Sequence, residues 1–267
     1  MDQKEYKFEK YKKLLEHIKK EISTDEFKNK LYEMQKIDLH HYSKKITIEE
    51  LKLIIEEFIE DLELEEEKET DNKKLLILLP GNPEIVFKVS LLSLKLNIDL
   101  MIGIQDFCLA QNTLIIDTIN NVIKNEPNSI EIELKNLLKE SQIIQEAKMR
   151  DEVICIGDSN LYNRLKGKIE NINLNPYGIF DVYSDSEEFE DLENKFFEYC
   201  YQNEFEVESY DDVEFDDFIR LINKNGDNFC SVLFSKDKTK QKDFKENIKS
   251  KYIIINKNPF KEIKFKL

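Results

Sequence analysis

The chain predicts an α/β protein built on a doubly wound, mainly parallel sheet and preceded by a helical segment. Three observations predict it. A run of five aliphatic residues over 75–79 fits a short strand buried on both faces. It ends in Pro80-Gly81-Asn82-Pro83, where Pro and Gly break the strand, Asn82 can cap a helix and Pro83 suits the first helical position. Beyond residue 75, strand-like and helix-like patterns alternate at the spacing of β–α–β units.

Residues 1–65 read as helical. Tyr11, Leu14, Leu15, Ile18 and Ile22 recur at helical spacing and form one apolar stripe. Ser23 with Glu26, and Thr47 with Glu50, match capping boxes. The second opens a broad apolar face through Leu51, Ile54, Ile55, Phe58, Ile59 and Leu62. The polar run 65–74 is expected as a linker, giving a helical segment 1–65, a linker 66–74 and a Rossmann-like domain 75–267.

Within that domain, strands are expected at 75–79, 98–104, 153–156, 179–183, 229–235 and 252–256. Helices are expected at 84–96, 110–124, 161–166, 187–201, 214–223 and 238–248. Residues 130–149 read as mainly helical, although their opening Ile-Glu-Ile-Glu-Leu alternates like a strand. The tail 260–267 alternates through Ile263, Phe265 and Leu267 and is expected as a last edge strand. No internal repeat is evident.

Composition narrows the function. The 267 residues include 40% hydrophobic and 36% charged side chains, and the formal net charge is −15. Without a basic stripe, nucleic acid is not an expected partner, and the negative excess disfavours anionic membranes. No stretch approaches the roughly 18 consecutive apolar residues of a membrane helix. The first twenty residues are charged throughout and carry no apolar leader. Cys108, Cys155, Cys200 and Cys230 form no CxxC pair and are expected as reduced thiols in a cytoplasmic protein. His17, His40 and His41 do not combine with them at zinc-like spacing, so no metal site is expected.

Several segments in order resemble the aldehyde dehydrogenase superfamily, especially its acyl-CoA reductase-like and glutamyl-phosphate-reductase-like branches. The Pro80-Gly81-Asn82-Pro83 turn resembles the family's strand–turn–helix, where an asparagine helps stabilise a thioester oxyanion. Ile154-Cys155-Ile156-Gly157-Asp158-Ser159 resembles its later strand and Gly-Ser turn near the nicotinamide cofactor's phosphates. Residues 223–260 resemble its returning segment. The resemblance implies NAD or NADP as cofactor, Gly81, Gly157 and Ser159 as cofactor-binding positions, and Asn82 with Cys200 as the catalytic candidates.

The departures are as informative. Gly103 stands where the family's ribose-contacting lysine is expected, and Lys88 would substitute only from within a helix. The family's Glu-Gly-Gly segment and its Gly-Gln-x-Cys nucleophile loop have no counterpart, so the chain looks like a nucleotide-binding half with its catalytic half deleted or reduced. Cys200 lies among Phe196, Phe197 and Tyr201, surroundings that favour a packed thiol over a thiolate. The resemblance therefore implies an aldehyde-dehydrogenase-like protein of weak or absent activity, with a regulatory or structural role and self-association or a partner protein. The rival readings are an active NAD(P)-dependent aldehyde or acyl-CoA oxidoreductase using Cys200, and a module binding an unrelated small metabolite at the Asn82 and Gly157 turns.

Overall fold

A computed structural model describes residues 3–38, 45–62, 73–104, 108–124, 130–203, 205–225, 229–261 and 263. The linker run over 66–72, His40, His41 and the tail beyond Ile263 lie outside the described residues. The architecture is α/β, with two separate sheets. The chain divides into two compact units: the first holds residues 1–154 and 165–173, the second 155–164 and 174–266.

The first unit opens with α1 (Gln3–Ile22), α2 (Asp25–Ile37) and α3 (Ile48–Leu62), and of the stripes expected in α1 and α3 Tyr11, Leu15, Ile18, Ile22, Leu51, Ile54 and Ile55 are buried. Leu15, Ile18, Leu51 and Ile55 are fully enclosed, and Tyr11 donates its hydroxyl to the Leu91 carbonyl at 2.7 Å. The Thr47–Glu50 box forms, with Glu50 N–H on Thr47 Oγ1 at 3.1 Å and Thr47 N–H on Glu50 Oε2 at 2.7 Å. At the other junction the cap is Thr24, which accepts from Phe27 N–H at 3.2 Å. Ser23 instead turns its hydroxyl back onto the Lys19 carbonyl, because α1 runs on to Ile22 and leaves only two residues before α2.

The five-stranded sheet runs β3 (Ile132–Asn136), β2 (Asp99–Ile104), β1 (Lys74–Leu79), β4 (Glu152–Ile156), β5 (Ile172–Asn175). Its β1–β2 and β2–β3 pairs are parallel. The order grows outward from β1 in one direction and then, after β3, in the other, which is the doubly wound arrangement. The helices between are α4 (Pro83–Leu96), α5 (Leu109–Ile123), α6 (Glu140–Ala147) and α7 (Ser159–Leu165). The alternating stretch after residue 130 forms β3, and helix begins only at Glu140.

The second unit has its own sheet, β7 (Glu206–Ser209), β6 (Ile179–Ser184), β8 (Cys230–Phe234), β9 (Tyr252–Ile255), all three pairs parallel. One face packs Tyr183 and Leu233 against Phe215, Phe218 and Ile222 of α9 (Phe215–Asn225) and Phe244 of α10 (Lys238–Asn247). Phe180 sets its ring edge on Phe196 of α8 (Glu190–Gln202), with centroids 5.2 Å apart. Residues Pro259–Lys261 form a short 3-10 turn that brings Phe260 onto Phe196 at 5.5 Å, where the sequence suggested the start of an edge strand.

One capping contact ties the helical N-terminal part to the sheet's cover. Cys108, at φ 49°, precedes α5 and offers it no side-chain cap. Asp38, at the end of α2, does so from a distance, accepting from Ala110 N–H at 3.0 Å and Gln111 N–H at 2.9 Å. A buried carboxylate on the first amides of a 15-residue helix is favourable by charge and by hydrogen bonding. Asp38→Ala is expected to lower the stability of the chain by about 1–2 kcal/mol, the usual cost of losing a helix cap. Chemical denaturation with a global fit would measure it, and an unchanged midpoint would contradict the assignment.

Candidate functional site

The residues singled out in the sequence fall into three places. In the first unit, β1 delivers Pro80 and Gly81 to the start of α4. Asn82 is 4% exposed and caps that helix: its Oδ1 accepts from Glu84 N–H at 2.8 Å and Ile85 N–H at 3.4 Å. Its carbonyl takes Val86 N–H at 3.0 Å, and Pro83 has no amide proton to offer. The first-turn amides of α4 are thus all committed to Asn82, which is the arrangement of a structural cap. The Gly81 carbonyl accepts from Asn112 Nδ2 of α5 at 2.7 Å, fixing the turn from the neighbouring helix.

Lys88 lies inside α4 and pairs with Glu84 at 2.7 Å, largely shielded from solvent. Gly103 of β2 has a packing reason for lacking a side chain. A Cβ there would meet Leu137 Cδ1 at 2.6 Å and Leu78 Cδ2 at 2.9 Å. The position is filled by Leu137, and a lysine would have to displace it and bury its stem in the core.

In the second unit, β4 ends in the Gly157-Asp158-Ser159 turn. Gly157 adopts φ 68°, and its missing side chain lets the Tyr177 carbonyl approach to 2.9 Å of where a Cβ would stand. Asp158 Oδ1 accepts from Leu161 N–H at 2.7 Å. Both donors of Ser159 go to one carboxylate: its N–H to Glu206 Oε2 at 2.9 Å and its hydroxyl to Glu206 Oε1 at 2.6 Å. The turn therefore holds an anion, and that anion belongs to the chain. Glu206 was missed in the sequence because nothing local marks it; it lies 47 residues from Ser159 on a short polar strand.

Cys200 sits in α8, one helical turn after Phe196, and both are buried. It is 1% exposed, and burial pushes its thiol well above the ordinary range. Cys155 is raised to about 12, chiefly by burial and then by Asp158. Cys230 is raised by burial, then by Asp181 and Cys200. Such thiols lack the thiolate character and access that nucleophilic chemistry needs. Asn82 and Gly81 belong to the first unit, whereas Cys200, Gly157 and Ser159 belong to the second. Within each unit, the neighbours of these residues are the chain's own carboxylates, carbonyls and aromatic rings.

Two units on separate parallel sheets, the first doubly wound, define the class as an α/β protein. No family model and no curated protein matches the chain. Solved structures do. A putative aldehyde dehydrogenase from Bacillus subtilis superposes with a TM-score of 0.59 at 9% identity, over 95% of this chain and 82% of that one. Gamma-glutamyl phosphate reductase from Thermotoga maritima gives 0.52 at 13% identity, over 96% and 83%. Glyceraldehyde-3-phosphate dehydrogenase GapN from Methanocaldococcus jannaschii, complexed with NADP, gives 0.56 at 13%, over 96% and 83%. The likeness drawn from the sequence holds for the fold and runs through both units.

Burial of all four cysteines has a direct consequence. In native buffer a thiol reagent is expected to modify none of them faster than the chain opens, and all four after denaturation. Rapid native labelling of Cys200 would show that the thiol is reachable. Gly103→Lys is expected to cost at least about 1–3 kcal/mol by overpacking alone, measurable as a lowered denaturation midpoint.

Proposed function

We propose that this chain keeps the aldehyde dehydrogenase scaffold without its thiol-based hydride chemistry. It would act as a regulatory or structural protein in the cytoplasm, as a homo-oligomer or with a protein partner. The carrying observation is Glu206, whose carboxylate takes both donors of Ser159 on the turn that resembles the family's Gly-Ser turn near the cofactor's phosphates. A phosphate brought to that turn would meet a resident negative charge and find its hydrogen bonds already made.

The cofactor implied by the fold is NAD or NADP, and one neighbour is complexed with NADP. The residues present here do not fit it. The Ser159 donors are spent on Glu206, and Gly103, packed by Leu137 and Leu78, supplies no cation for a ribose. Cys200 adds to the same reading, since a thiol sealed beside Phe196 cannot reach an aldehyde or acyl group without the helix moving.

Calorimetric titration with NAD(H) and NADP(H), together with aldehyde and acyl-CoA reductase assays, tests the reading. No saturable binding and no turnover are expected, and Cys200→Ala is expected to leave every measured rate at background. Turnover that disappears in Cys200→Ala, with folding intact, would reject the proposal in favour of an active oxidoreductase. Light scattering reads the association part: a strict monomer at high concentration removes self-association and leaves a protein partner.

A further inference from the structure

Three carboxylates share one face of the β6–β7 pair in the second unit. Asp181 of β6 stands directly opposite Glu208 of β7. Glu206 and Tyr210 flank Glu208 at two-residue spacing, which puts them on the same side of the strand. Asp181 is 7% exposed, and the equally buried Tyr210 hydroxyl donates to its Oδ1 at 3.4 Å. Burial and then the Asp181 and Glu208 carboxylates raise the Tyr210 hydroxyl. From β8, Ser231 stands opposite Asp181 and is bonded to Ser250 at 2.6 Å, with the Cys230 thiol close by. From α9 and α10 the neighbouring groups are rings, with Phe218 5.1 Å from Tyr210 and stacked on Phe244. Lys240 of α10 is committed to Asp185 and Arg220 of α9 to Asp217. The charged groups acting on Asp181 are the acids Glu208 and Glu206.

A carboxyl buried against rings, with the exposed acid Glu208 opposite it, resists ionisation first through lost solvation and then through the like charge. We propose that Asp181 holds a proton in the folded chain, and that its loss releases the edge strand β7 from β6 and draws Glu206 off Ser159. The strand that gives way is short and lies at the border of its sheet. It has four residues and one lateral neighbour, and its ends are held by Glu206 N–H on the Gly178 carbonyl and Tyr210 N–H on the Val182 carbonyl. Burial, then Glu208, raises the Asp181 carboxyl to about 7, against 3.8 for the free group. A group that binds its proton more tightly when closed favours closure fully below pH 3.8. That advantage falls by about tenfold per pH unit up to the raised value and stays level above it. The three histidines, at 17, 40 and 41, all precede the second unit and cannot supply this titration within it. The Asp181 proton is independent of whether the chain binds a nucleotide.

Amide hydrogen exchange on the full chain, corrected for intrinsic rates, tests it between pH 5 and 8. Protection of the Glu206, Tyr210 and Ser159 amides is expected to fall about tenfold per pH unit to about pH 7 and then level off. It should remain below that of β8 amides such as Val232 throughout. Asp181→Asn should abolish the fall, and Glu208→Gln should displace it to lower pH by removing the like charge. A flat wild-type profile, or an unaltered slope in Asp181→Asn, would overturn the proposal. So would loss of protection in β7 and β8 in step, since the proton would then govern the whole unit. Should Asp181→Asn fail to fold, an undisplaced profile in Glu208→Gln would overturn it equally.

Discussion

The Glu206–Ser159 contact is the constraint on which the functional reading turns. A βα turn at the end of a parallel strand is the natural ligand position of such sheets, because its amides point outward with no partner. Here the amide and hydroxyl of Ser159 have a partner, and it is ionic. The same solution recurs in the first unit, where Asp38 supplies two oxygens to the start of α5. At α4 the oxygen comes from Asn82 itself. Each of these starts is satisfied by the chain itself, at the ends of strands where parallel sheets commonly offer room for a ligand.

How much of the fold was legible depends on where a strand sits in its sheet. Strands β1, β2 and β8, each flanked on both sides, read as unbroken apolar runs and were placed from the sequence within a residue or so. The strands it left ambiguous or silent, β3, β5 and β7, are all sheet edges. Their sequences, Ile-Glu-Leu-Lys-Asn, Ile-Asn-Leu-Asn and Glu-Val-Glu-Ser, mix polar residues with one or two aliphatics. An edge strand has a single lateral partner and often an exposed side, so its pairing comes from the neighbour and its composition need not be apolar. The edge strand β9 was legible because Tyr-Ile-Ile-Ile keeps the interior pattern.

The candidate site divides in the same way. Gly81, Asn82, Gly157 and Ser159 announce themselves as turns because Gly, Asn and Ser act locally. What those turns are bonded to was not legible, since Asn112 lies 31 residues from Gly81 and Glu206 lies 47 from Ser159. The missing lysine at Gly103 was visible as an absence, and only packing explains it, with Leu137 occupying the volume. Asp181 falls in the strand expected at 179–183, but its burial was not legible from an acidic residue there. Residues 179–184 are strand, and alternation turns Asp181 inward beside Tyr183 while the helix begins further on.

These acids also explain why a weak edge persists. An unpaired strand edge invites pairing with another chain, and charged side chains are one way to discourage it. β7 carries two glutamates among four residues, and the whole chain is at −15. That protection has a physical cost, because the same charges that repel a foreign strand also repel Asp181 on β6. The ion-like bonds from Ser159 to Glu206 and the hydroxyl of Tyr210 offset part of that repulsion. One short strand therefore fills the Ser159 turn and places charge on the sheet's border. A protein selected for turnover at that turn would have reason to keep it clear, whereas one selected for a stable, closed surface would have reason to fill it.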